Sequence, residues 1–238
     1  MLKKLLWYLT LSIAALPSLF SQTAAPEVHI DSLTAARKDS IKLAKLLAHA
    51  YYPLIKAGPY SGVLPVEGVD EISDPKREYK LLFEFTEGFK DSTHEKLHPS
   101  LVEIARVLNL DVASGIPIAN IHVVVVVHGP SLFSIRNDQF FRAKYQKNNP
   151  NHQLIEDLMK NGVKFIACGQ AMLFFDVKKE QLFPGVKVSQ TAQTVLSNYL
   201  GQRYVHFDAS GPIIKGFQQI NTHLNELFFA ARVARFAA

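Results

Sequence analysis

Five consecutive valines, Val123 to Val127, constrain this chain more than any other stretch. They lie in "NIHVVVVVHGP", a nearly unbroken run of β-branched residues whose stiff side chains favour extended backbone. A strand with one wet face would alternate apolar and polar residues. This one does not, so both of its faces are expected to be buried, as in a parallel sheet. The flanking segments agree. "EYKLLFEF", "VKFIACG", "PGVKVSQ" and "RYVHFD" read as four further strands. Between them, "HPSLVEIARVLNLDVASG", "RNDQFFRAKYQ", "NHQLIEDLMKNG", "QAMLFFDV" and "TAQTVLSNYLGQ" read as helices. Strands alternating with helices of this length imply an α/β three-layer sandwich around a mostly parallel five-stranded sheet.

The flanks are different in kind. Lys3 and Lys4 precede the apolar run Leu5 to Ala15, and small residues follow at Ser18, Ser21, Ala24 and Ala25. This is the pattern of a secretory signal peptide, and its apolar run is too short to span a bilayer. The expected peptide is 1–21, cut before Gln22 because Pro26 disfavours a cut after Ala25. A secreted or periplasmic protein without stable membrane insertion follows. Removing 21 of the 238 residues takes away two lysines, leaving 217 residues and lowering the formal charge from +5 to +3. That mild excess, with no Lys/Arg cluster on one face, argues against nucleic acid as a partner. Residues 22–76 read as a helix over 32–56 followed by a Gly/Pro-rich arm, and 77–208 as the α/β domain. Residues 209–238 read as a helical extension, with Ile220, Leu224, Leu227, Phe228 and Ala231 on one stripe that docks on the body or on a neighbouring subunit.

The chain has one cysteine, Cys168, which excludes an intrachain disulfide. It is therefore an inert buried thiol, an intermolecular link or a reactive group. Its place is informative, because it ends a strand just before Gly169 and the helix that starts near Gln170. Ligands of open parallel sheets bind beyond the carboxyl ends of the strands. A thiol at a helix N-terminus meets unpaired N–H groups and the positive end of the dipole, which favour the thiolate. His128 ends the valine strand in the same way, ahead of Gly129, Pro130 and Ser131. If the two strands are neighbours, thiol and imidazole share a crevice and a proton can pass between them. The other reading of His128 is a hydrogen-bonded residue that fixes the turn.

His94 and His98, in "HEKLH", have the spacing of a metal pair and of the zinc-protease motif. Pro99 follows directly and the surroundings read as a loop, so solvated histidines and no metal site are expected. His122 and His206 fall inside strands, as core or interface residues. There is no GxGxxG and no P-loop, "GPYSG" at Gly58 to Gly62 follows no strand, and no cofactor is expected.

Three stretches together, "VVVVVHGPSLFSIRND", "NPNHQLIEDLMKNGVKFIACGQAM" and "LFPGVKVSQTAQTVLSNYLGQRYV", resemble the DsrE/DsrF-like family in its YchN-like, secreted branch. The resemblance runs from about Tyr79 to Phe207, and "GPYSGVLPVEG" resembles the extended arm of secreted members. It implies a flavodoxin-like fold, assembly as a homotrimer or homohexamer, and a cysteine that accepts sulfur as a persulfide. Cys168 matches that cysteine within C-G-Q.

Three functions are open at this point. In a sulfur-handling protein, Cys168 would attack a sulfane sulfur and pass it between a donor and an acceptor protein. His128, Ser131 and the N–H groups of Gly169 and Gln170 would then stabilise the charge, and Cys168 would be accessible in a small polar pocket. A binding module without chemistry would have a buried thiol and a ligand among Pro130, Ser131 and Asn137. A scaffold would use its helical arms on other envelope proteins.

Overall fold

The computed structural model describes residues 30–88 and 95–209, with side chains from Lys38 onward. The expected signal peptide, His94 and the expected helical tail from residue 210 lie outside the described residues.

The valine run forms β2 (Ile121–Val127), and no residue of Val123 to Val127 is more than 3% exposed. At roughly 2 kcal/mol for each fully buried valine, this strand is a main source of hydrophobic stabilisation. It pairs with β1 (Tyr79–Phe85) over all seven residues, from Tyr79 opposite Ile121 to Phe85 opposite Val127. On its other side Val124–Val127 pair with Lys164–Ala167 of β3 (Lys164–Cys168). β4 (Lys187–Ser189) and β5 (Val205–Asp208) complete the order β4-β3-β2-β1-β5. Every pairing is parallel, so the sheet is wholly rather than mostly so.

Alternation sorts the strands' side chains into two cores. Leu81, Phe83, Phe85, Val125, Val127 and Phe165 meet one set of helices, α2 (Pro99–Ala113) and α4 (His152–Lys160). Leu82, Val124, Val126 and Ile166 meet α6 (Ala192–Gly201) on the opposite face. The result is the expected three-layer α/β sandwich. The short helices α3 (Asp138–Tyr145) and α5 (Gly169–Phe174) fall where the sequence pattern puts them.

The N-terminal helix departs from expectation. α1 spans Ile30–Leu47, and the chain then leaves the helix instead of continuing to residue 56. Asn109, fully buried on α2, explains the break. Its Oδ1 accepts from the Leu54 and Ile55 amides at 3.0 and 2.9 Å, and its Nδ2 donates to Ile55 O and Ser61 O, both at 2.7 Å. A backbone clamped to one side chain in this way cannot also make helical bonds. Beyond Val63, which bridges to Tyr51, residues 64–78 form no helix or strand, and Val66 and Ile72 are both 74% exposed.

His98 also departs, because it is 2% exposed rather than solvated. It caps α2, its Nδ1 accepting from Ser100 N at 3.2 Å and its own N–H donating to Asn151 Oδ1 at 2.7 Å. Asn151 belongs to "NPN", which the structure uses as a tie. Asn149 Nδ2 donates to Ser134 O and Arg136 O, and Asn149 Oδ1 accepts from Asn151 N. Burial pushes the His98 imidazole down to about 4.

Two predictions follow from these buried polar groups. Asn109→Ala removes the four bonds that hold the strap over residues 54–61 to α2, and chemical denaturation should show a loss of about 3 kcal/mol. For His98 the folded state stays neutral while the unfolded chain takes up a proton below about 6.5. Stability is therefore full above that pH and falls as pH drops toward 4. Urea unfolding at pH 7 and 4.5 should show about 2 kcal/mol more loss in the wild type than in His98→Asn, which keeps a cap acceptor. Asp111, whose carboxyl burial raises to about 6, is present in both proteins and cancels in the comparison.

Candidate functional site

The two residues singled out at strand ends do become neighbours. Val127 pairs with Ala167, and His128 continues β2 in extended conformation (φ −149, ψ 167), its N–H donating to Phe85 O at 3.1 Å. Cys168 is the last residue of β3 and the N-cap of α5. Both side chains fall on the face that carries Leu82 and Val126, because alternation puts them there.

Their surroundings differ from the expectation. Cys168 is 4% exposed and packs with Leu82, Val124, Val126, Ile166, Ala192 and Val195. An accessible thiol in a polar pocket is therefore not what the structure holds. Strand alternation turns the sulfur under the first turn of α6, where Ala192 N–H donates to Sγ at 3.2 Å. Two of the donors expected around it are engaged elsewhere. Gln170 is exposed and its N–H donates to Gln190 O at 3.2 Å. Ser131, fully buried, donates to Phe85 O at 2.6 Å and His128 O at 2.8 Å, tying its loop to β1.

Gly169 has no room for a side chain, since a Cβ there would lie 2.7 Å from Ser189 O. Beside it, Gly169, Gln170, Leu173 and Ser189 line an open cleft of about 410 Å³ between α5 and β4. Gly129 takes φ +65 to turn the chain out of β2, and Pro130 sits so close to Gly88 that a Cβ on Gly88 would be 2.5 Å from it. Asn137 caps α3, accepting from Phe140 N at 2.9 Å and donating to Glu180 O at 2.7 Å. It borders a different cleft, with Leu182 and Pro184. Of the expected site residues, Cys168, Gly169, Gln170 and His128 come together at adjacent strand ends. Ser131 and Asn137 serve as structural ties.

The His128 ring turns away from Cys168. Its Nε2 lies 2.8 Å from Oε1 of Glu84 on β1, and Oε2 of Glu84 lies 3.0 Å from Nε2 of His206 on β5. Neither Glu84 nor the pairing of His206 was expected. The available signal was a single acid inside the apolar strand "KLLFEF". Arg136 is a second unexpected feature. It is 3% exposed, stacked 3.7 Å over the Phe140 ring, and bonded through Nη2 to Gln181 Oε1 at 2.9 Å. Burial lowers it to about 10, so it stays cationic at neutral pH. Among the described residues, no cluster of three or more His, Cys, Asp or Glu could hold a metal ion.

The sequence profile of the DsrE/DsrF-like family matches residues 80–207, more than half of the chain. The chain belongs to the DsrE/DsrF-like family. No curated protein matches it. Among solved structures, it is similar to MTH1491, a protein of unknown function from Methanobacterium thermoautotrophicum, with 17% identity and a TM-score of 0.42. That match covers 55% of this chain and 99% of the other. It is also similar to the YchN protein of E. coli, with 15% identity and a TM-score of 0.40 over 54% of this chain and 96% of the other. The family match begins at the second residue of β1 and ends one residue before β5 does, so α1, the strap and the arm lie outside it.

The close approach at Gly169 gives a test of this DsrE-like site. Gly169→Ala must displace the Ser189 backbone, and thermal unfolding should show a loss of about 2 kcal/mol.

Proposed function

We propose that this DsrE-like protein handles sulfur, carrying a sulfane sulfur as a persulfide on Cys168. One observation carries the reading, which is the Ala192 N–H donated to Sγ at the start of α6. The sulfur lies at the first turn of α6, where backbone N–H groups and the dipole favour negative charge. The family's general association with sulfur relay supports the same chemistry. In the proposed step the Cys168 sulfur attacks the outer sulfur of a persulfide or polysulfide donor. A new S–S bond forms, the donor's S–S bond breaks, and the donor leaves as a thiolate with the electron pair. The reverse exchange hands the sulfur to an acceptor thiol.

In this reading the chain is exported, so donor and acceptor act outside the cytoplasm. It also assembles as a homotrimer or homohexamer. Leu173 and Phe174 of α5 are 79% and 83% exposed beside the cleft at Gly169, and a second copy seated there would cover them.

The burial of Cys168 favours a second reading. There the thiol is a small core residue holding α6, and the protein is an oligomeric binding or scaffold module of the cell envelope. Intact mass of the folded protein after iodoacetamide, and separately after polysulfide, separates the two. The carrier reading expects alkylation at neutral pH and the gain of one sulfur atom, both lost in Cys168→Ser. A thiol that alkylates only on unfolding and gains no sulfur establishes the second reading.

A further inference from the structure

Every residue from Leu64 to Ile72 is exposed, the apolar ones included. Val66, Val69 and Ile72 stand 74%, 57% and 74% open, and no described residue covers them. Apolar side chains grouped in this way mark an interaction surface. Residues 64–75 also carry Glu67, Asp70, Glu71 and Asp74, with no lysine or arginine among them. The arm is an apolar ridge with an acidic border.

The cleft between α5 and β4 has the complementary character. Leu173 and Phe174 are almost fully exposed there, and Val188 is 39% exposed. Lys178 and Lys187 adjoin the lining residues Val177 and Val188, and both lysines are exposed. Asp176, the nearby acid, acts on the buried Arg136, whose charge it offsets. Lys179 and Glu180 border the other cleft, with Asn137. β4 is an edge strand, so the α5–β4 cleft is open on its outer side.

The arm cannot fill the cleft of its own chain. Its first end is held where Ser61 O accepts from Asn109 and Val63 pairs with Tyr51. Asn109 is near the end of α2, which runs back from the carboxyl end of β1 to the amino end of β2. The other end is held by Asn120, whose Nδ2 donates to Pro75 O at 2.8 Å just before β2. Both ties are on the amino side of the sheet, whereas the cleft begins at Gly169, beyond the carboxyl end of β3. The seven residues of β1 span about 23 Å, and three strand spacings add about 14 Å sideways, roughly 27 Å together. An arm tied at Val63 and Pro75 reaches out by about six residues at most, or about 20 Å.

We propose that residues 64–75 of one copy dock in the α5–β4 cleft of a second copy. Val66, Val69 and Ile72 pack on Leu173, Phe174 and Val188, and the arm's acids face Lys178 and Lys187. The inference rests on the reading of the protein as a homo-oligomer and names the surfaces that build it. Arm and cleft are different surfaces, so the contact is heterologous and closes into a ring such as a trimer. Because the cleft starts at Gly169 and Gln170, each Cys168 then has a neighbour's arm beside its strand end.

The test uses the full chain and sedimentation equilibrium at micromolar concentration, in low and high salt. The wild type should be an oligomer that weakens as salt rises. Ile72→Ser and Phe174→Ser, both at exposed positions, should each raise the dissociation constant roughly tenfold. Lys178→Glu with Lys187→Glu should weaken assembly too, and adding Glu67→Lys with Glu71→Lys should restore it. In a Cys168→Ser background, co-expressed Ile72→Cys and Leu173→Cys chains should form a two-chain disulfide on oxidation. A monomeric wild type overturns the proposal, as does an oligomer whose dissociation constant is unmoved by both serine variants. A disulfide that forms only within one chain carrying both cysteines overturns it as well. Polysulfide uptake is read on the same wild-type sample by intact mass. An arm-dependent oligomer that gains no sulfur supports the docking and overturns the carrier reading alone.

Discussion

The pairing of β2 with both of its neighbours is the constraint on which the rest depends. Because the strand is parallel on each side and buried on each face, its register decides which core every nearby side chain enters. A slip of one residue would move the whole set to the other face. Cys168 and His128 owe their shared face to this register. So does Glu84, whose carboxylate would otherwise point into the apolar layer formed with α2 and α4.

The polar groups of the site therefore stand at the end of an otherwise apolar surface. Leu82, Val124, Val126 and Ile166 form the body of that face under α6, while Glu84, His128 and His206 lie at or beside its carboxyl end. A charged residue in a strand is costly unless it is paired and hydrogen-bonded, and the two imidazoles meet that condition. The two readings of the protein agree on this architecture. They part on access to one sulfur atom, which is a matter of the local stability of the first turn of α6.

Much of the fold was legible because its signals are local. The valine run, the helix patterns and the glycines that end them all lie within short windows, whereas the order β4-β3-β2-β1-β5 was left open by the sequence. What was not legible depends on residues far apart in the chain. Glu84 meets His128 across 44 positions and His206 across 122. The charged neighbours of His98 suggest solvent, but Asn151, 53 positions away, draws its backbone inside. The helix expected to reach residue 56 stops early because Asn109, 54 positions on, captures the Ile55 amide. The position of Cys168 at a strand end was readable. Its burial was not, since that depends on where α6 begins.

The first turn of α6 over Cys168 bears on more than reactivity. A sulfur atom stored on this thiol would sit behind a helix end, hidden from bulk reductants that strip exposed persulfides. Loading and delivery would then proceed only as fast as that turn opens. A recipient able to engage the α6 terminus would open its own route to the cargo, while passing thiols would find nothing to attack. Selectivity among recipients would then come from the work of opening the helix end, with no recognition pocket for the sulfur itself.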